Sequence, residues 1–299
     1  MAHKLTGFSI KIADVIVRLT SEDVALEPHI FYKAFVTDEL SPDIDIQVYC
    51  QGIPRISPQQ KIFDSGGPWS LYSWQGKCVF TFRSPAVSPS PYEMAIFDPD
   101  FANGEIHFPR LENMQEPDLP DPLLYPLDEL LMVNYLAQGR GIDIHACGVV
   151  SHAFGMAFVG VSGAGKSTIA KLWKSRNAKV LCDDRIILRK QKGGFRLYGT
   201  PWHGDARMAI PDEAPLEGLF FLKQARDNRI VSLSPLDAAT RLTVRCFPTL
   251  YRTSGMEFTL DFITELAQTV PCYELQFTPD QRAIDEVLSH VESLAPSRR

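Results

Sequence analysis

The sequence runs to 299 residues, enough for two folding units and for a core that needs no covalent staples. Hydrophobic residues make up 45 % and charged residues 22 %, a globular composition that excludes a disordered or fibrous chain. The net charge is −6 and no Lys/Arg run exceeds two, which argues against a nucleic-acid partner and against a polybasic membrane anchor.

The first 110 residues read as strands and turns. Phe8–Leu19, Ile44–Tyr49, Cys78–Arg83, Tyr92–Phe97 and Glu105–Phe108 mix β-branched and aromatic residues, and clusters such as Ser65–Pro68 and Ser88–Pro91 separate them. Met1–Gly7 leads into no apolar run of the secretory kind, so no signal peptide is expected. A linker follows over residues 111–126, within the stretch Pro109–Pro126. Five prolines in eighteen residues predict an extended connection between two units.

From Leu127 the pattern changes. Leu127–Gln138 reads as a mostly apolar helix ended by Gly139 and Gly141. Ile144–Gly165 holds no Asp, Glu, Lys or Arg, yet its five glycines break it too often for a membrane span. It reads as two short strands around a turn, followed by a glycine loop. Further on, Ser234-Pro235-Leu236-Asp237 and Thr278-Pro279-Asp280-Gln281 each announce a helix start, and Ile284, Val287, Leu288, Val291 and Leu294 form one apolar stripe. The six cysteines (Cys50, Cys78, Cys147, Cys182, Cys246, Cys272) show no zinc spacing and read as buried thiols of a cytoplasmic protein.

The chemistry concentrates around the loop. Gly160-Val161-Ser162-Gly163-Ala164-Gly165-Lys166-Ser167-Thr168 fits G-x-x-x-x-G-K-[ST], with an apolar strand before it and an amphipathic helix, Ser167 to about Asn177, after it. Glycines let main-chain amides turn inward around phosphate oxygens, Lys166 offers a mobile charge to the β and γ phosphates, and the Ser167 hydroxyl suits Mg²⁺. The nucleotide-contacting set is therefore Gly160, Ser162, Gly163, Ala164, Gly165, Lys166, Ser167 and Thr168. Lys179–Cys182 reads as a strand that returns Asp183 and Asp184 to the loop, 16 and 17 residues beyond Ser167. One of the pair can hold the metal while the other accepts a proton from an attacking hydroxyl. His145, fifteen residues before Gly160, can orient an aspartate or can be a satisfied core histidine. In the loop Gly199–Arg207, Arg207 can neutralise γ-phosphate charge and Trp202 or His203 can line an acceptor pocket. A turn pinned by a buried tryptophan explains the same residues.

His145, the block Gly160–Ser167 and the block Val180–Leu188 together resemble the catalytic domain of HPr kinase/phosphorylase, and more loosely ATP-dependent phosphoenolpyruvate carboxykinase. The resemblance covers about Leu127 to Leu294 and is sharp from Ile144 to Leu188. It implies an α/β carboxykinase-like phosphate-loop fold with a mixed sheet, preceded by a β-rich N-terminal domain over residues 1–110, with the catalytic domain over 127–299. It also implies ATP and Mg²⁺ as cofactors, Lys166 and Ser167 on phosphate and metal, Asp184 as general base, and Asp183 with His145 near the metal. The chain departs from that family at Val161 and Thr168, where acids are usual, and GTPWHGD replaces the downstream glycine-rich signature. In this it looks more like divergent members, some of which tailor peptides. The function implied is phosphorylation of a hydroxyl, a serine of a protein or peptide, by a chain that can also self-associate. The alternatives are a small-molecule hydroxyl kinase and a nucleotide-binding regulator that phosphorylates nothing.

Overall fold

The structure, a computed structural model, describes residues 6–83, 90–110, 121–152, 154–249 and 251–294. The first ten residues of the expected linker (111–120) and two of the expected Ser88–Pro91 turn lie outside the described residues. So does the Leu294 side chain. The chain divides into Met1–Tyr135 with Thr249–Thr253, and Leu136–Pro248 with Ser254–Arg299.

The first unit carries β1 (Thr6–Ile12), β2 (Val15–Ser21), β3 (Ile44–Tyr49), β4 (Gln60–Asp64), β5 (Trp69–Trp74), β6 (Lys77–Phe82), β7 (Glu93–Phe97) and β8 (Asn103–His107). They form one mixed sheet in the order β1-β2-β3-β8-β7-β6-β5-β4. The β2–β3 and β3–β8 pairs are parallel and the others antiparallel. Alternation sets the buried face of β3, where Ile44, Ile46 and Val48 point inward. The expected single strand Phe8–Leu19 is a hairpin instead. Ala13 and Asp14, at φ 52° and 57°, make its two-residue turn, so no glycine marks the break. The part of the expected linker that is described, Asp121–Pro126, is not extended. Asp121 accepts the amides of Leu123 and Leu124 through its side chain and carbonyl, and the chain turns directly into α1 (Leu127–Leu136).

The second unit is built on β9 (Ile142–Ser151), β10 (Phe154–Val159), β11 (Lys179–Cys182), β12 (Arg185–Gln191), β13 (Gly194–Gly199), β14 (Glu213–Gln224), β15 (Arg229–Ser232), β16 (Cys246–Phe247) and β17 (Cys272–Phe277). Its mixed sheet runs β10-β9-β12-β13-β14-β17-β15, with β11 and β16 also on β9. On one edge β14 has two partners in turn: Glu213–Pro215 pairs with β13, and Leu216–Phe221 runs parallel to β10, while its other edge carries β17 in parallel. The helices α2 (Lys166–Ser175), α3 (Pro235–Thr243), α4 (Thr253–Thr269) and α5 (Arg282–Leu294) cover the sheet. Ile169, Ala170 and Trp173 of α2 and Ala283, Ile284 and Val287 of α5 share one apolar cluster with Phe158 and Phe220. Ala238 and Leu242 of α3 and Phe262, Ile263 and Leu266 of α4 share a second with Ile144, Val159 and Leu219. Each such fully buried side chain contributes about 1.5–3 kcal/mol, so α2 is fixed to the sheet from below and its N-terminus stays in place.

The caps follow the sequence with one shift. Ser234 caps α3 by accepting the Asp237 amide at 3.2 Å. α5 starts at Arg282 rather than at Pro279, because Asp280 takes the Arg282 amide at 2.9 Å. Asn177, at φ 60°, ends α2, and the Ala178 amide reaches back to the Trp173 carbonyl. All six cysteines are buried and none is in a disulfide. Among the described residues no helix is long and apolar enough to cross a membrane.

Candidate phosphate-loop site

The loop Gly160–Gly165 joins β10 to α2 at the end of the sheet. Gly163 and Gly165 sit at φ 78° and 106°, in the left-handed region that side chains avoid. A Cβ on Gly165 would also lie 2.7 Å from the Phe277 ring. Both ends of the loop are held: the Gly160 amide donates to the His145 carbonyl at 3.2 Å, and the Gln224 side chain donates to the Gly163 carbonyl at 2.9 Å. Val161, Ser162 and Gly163 are exposed, Ala164, Gly165, Ser167 and Thr168 half-buried, and Gly160 and Lys166 buried. The open side of the loop therefore faces solvent at the positive end of α2, the arrangement that suits an anion.

Lys166 is folded beneath the loop. Its Nζ donates to the carbonyls of Gly160 at 3.1 Å and Val161 at 3.3 Å, and lies 3.3 Å from Asp184 Oδ1. Burial pulls its pKa down, against the opposing pull of Asp184. Asp184 Oδ1 also takes a hydrogen bond from His145 Nε2 at 2.9 Å. Burial pushes the Asp184 carboxyl up, but His145 and Lys166 outweigh it and leave the group below the ordinary aspartate value. The His145 side chain is half-buried and bonded to that carboxylate.

Asp183 and Asp184 occupy a bend between β11 and β12 rather than strand positions, and they diverge all the same. Asp184 faces Lys166 and His145. Asp183 is fully buried and accepts from Ser167 Oγ at 3.0 Å and from the amides of Gly204, Ala206 and Met208 at 3.0, 2.9 and 3.2 Å. Trp202 is buried and its carbonyl accepts from the Cys182 thiol at 3.4 Å, while Arg207, at φ 52°, exposes its side chain. His203 Nδ1 meets the neighbouring Gly204 carbonyl at 3.1 Å.

Three residues beside the site escape sequence reasoning. Arg185 pairs with His145 across β12 and β9, so both lie on one face. Its guanidinium lies 3.8 Å over the Phe247 ring and 3.7 Å from Asp143. Asp143 is two residues from His145 on the same strand and so shares its face, a signal available in the sequence once β9 is placed. Phe247 carries no such signal, because it arrives on a two-residue strand a hundred residues later in the chain.

The SynChlorMet cassette protein ScmC family matches residues 124–288, just over half of the chain. The chain belongs to that family. No curated protein matches it. Among solved structures it is similar to the Hpr(Ser) kinase/phosphatase from Coxiella burnetii, with 17 % identity over 51 % of this chain and 98 % of that one, at a TM-score of 0.32. A likeness that loose does not define the fold.

Proposed function

We propose that the chain is an ATP- and Mg²⁺-dependent kinase that transfers the γ-phosphate to a hydroxyl, a serine of a protein or peptide, on a carboxykinase-like phosphate-loop fold. One observation carries this reading: a single carboxylate, Asp184, touches both the loop lysine at 3.3 Å and a histidine at 2.9 Å. That gives phosphate binding and proton acceptance one address. A nucleotide binder that phosphorylates nothing has no need of such a base.

In this mechanism the loop amides and the α2 N-terminus hold the phosphates, and Lys166 leaves the Gly160 and Val161 carbonyls for the β and γ oxygens. The residues suit Mg²⁺. Ser167 Oγ, which donates to Asp183, would offer Mg²⁺ a hard oxygen ligand with the Asp183 carboxylate beside it, and Asp184 stays free to act as the base. Held there, Mg²⁺ would neutralise charge on the phosphate oxygens. Asp184 accepts the proton of the attacking hydroxyl as its oxygen bonds to the γ-phosphorus and the bond to the β-phosphate oxygen breaks. His145 holds that carboxylate in orientation, and Arg207 is available to the developing charge.

The test is γ-labelled ATP incubated with the chain and a lysate of the source organism, then mass spectrometry of labelled species. A phosphorylated protein or peptide is the expected product. Release of inorganic phosphate alone would replace the kinase by a nucleotide-driven switch.

A further inference from the structure

Asp183 adds a polar link between two segments, the first turn of α2 and the loop 204–208, that also meet through the apolar cluster around Ile169, where Ala206 and Met208 pack. Its Oδ2 accepts from Ser167, on the first turn of α2, and from Ala206, while its Oδ1 accepts from Gly204 and Met208. Every second amide of the loop 204–208 thus turns to one carboxylate, and the intervening Asp205 and Arg207 expose their side chains. The geometry leaves little slack. A Cβ at Gly204 would lie 3.0 Å from Asp183 Oδ2 and from Asp184 Cβ, and Arg207 accepts a left-handed φ of 52°. The Asp183 amide also donates to the Met208 carbonyl at 3.1 Å, which closes the loop on the same residue. All four donors converge on the two oxygens of one side chain, at 2.9 to 3.2 Å, so loss of that side chain leaves all four without it at once.

We propose that Asp183 is a positioning residue that ties the phosphate loop to the loop 202–208, so that a nucleotide bound at Ser167 fixes the place from which His203 meets the acceptor and Arg207 the γ-phosphate. The nucleotide half of this proposal rests on the kinase reading above. The tie itself belongs to the ligand-free chain and stands or falls without it.

Amide hydrogen exchange over 202–208 tests both halves in the full-length chain, with and without Mg–ATP. Asp183→Asn keeps the size but points a donor at donors, and Gly204→Ala pushes the loop away while leaving the carboxylate in place. Each variant is expected to speed exchange at Gly204, Ala206 and Met208 by about tenfold or more, with β14 unchanged. Mg–ATP is expected to slow these amides further in the wild type and not in Asp183→Asn, a response that a purely structural residue would not lose. Unchanged exchange in a folded Asp183→Asn chain overturns the tie. Should that variant not fold, unchanged exchange in Gly204→Ala overturns it. An equal response to Mg–ATP in wild type and Asp183→Asn overturns the coupling. A wild type that binds no ATP sinks the kinase reading and the coupling with it, while the ligand-free comparison still decides the tie.

Discussion

At the scale of single residues, Lys166 and Asp184, 3.3 Å apart, give separable expectations. Lys166→Ala removes the cation that the loop holds in reserve, so transfer should be abolished and ATP binding weakened, as read by γ-phosphate transfer and by titration calorimetry. Wild-type turnover in this variant would mean that the loop is not the active site. Asp184→Asn keeps the shape but not the basicity; transfer should fall by about 10²–10⁴-fold while ATP affinity changes little. If transfer survives and only affinity for Mg²⁺ drops, Asp184 serves the metal and the base lies elsewhere. The residues gathered here were legible because they sit close in sequence: two strands, a loop, one helix and a third strand bring His145, Lys166, Ser167, Asp183 and Asp184 together within forty residues. Phe247 was not, since it reaches the site through a pairing far along the chain that periodicity does not encode.

At the scale of elements, local chemistry was readable where a side chain bonds its own turn and unreadable where a partner strand decides. The Ser234 cap is of the first kind. Ser234→Ala should cost about 1 kcal/mol, measured by chemical denaturation, with the fold retained. The hairpin turn at Ala13-Asp14 is of the second kind: neither residue favours left-handed backbone strongly, and the pairing of β1 with β2 imposes it. β12 to β14 were missed for the same reason. Glu274 on β17 shows such pairing at work, because burial raises its carboxyl but Gln276, Arg241 and Lys223 bind it and bring its pKa down to about 2. A carboxyl lowered by folding stabilises the folded state above its ordinary value of 4.5. That stability is lost as pH falls through about 2. Glu274→Gln should therefore lower the denaturation midpoint at neutral pH. The gap to the wild type should close on acidification through that window, and a gap that persists at the acid end would mean that the charge is not what matters.

At the scale of the whole molecule, every residue of the proposed nucleotide site lies after Leu127, which suggests acceptor presentation as the task of the N-terminal strands. The fragment 121–299 should keep ATP affinity and lose acceptor phosphorylation. It retains the buried hydrogen bond from Thr249 Oγ1 to Asn134 Oδ1 at 2.9 Å. A fragment starting at Leu136 loses that bond along with α1, and is expected to unfold at a lower temperature. Loss of ATP affinity in a folded 121–299 fragment would count against this division of labour.

The double pairing of β14 also bears on how the chain is born. β10 ends at Val159 and passes straight into the phosphate loop, but its parallel partner at that point is Phe221, 62 residues later. During synthesis at roughly 5–20 residues per second, that interval lasts some seconds. Through it the strand beneath the loop has β9 on one side and nothing on the other. Gln224, which clasps the Gly163 carbonyl, leaves the ribosome only after the whole of β14 has been made. Nucleotide binding should therefore be a late event of biosynthesis. Nascent chains stalled shortly before β14 emerges should not be retained on an ATP resin, whereas chains stalled after α5 emerges should be.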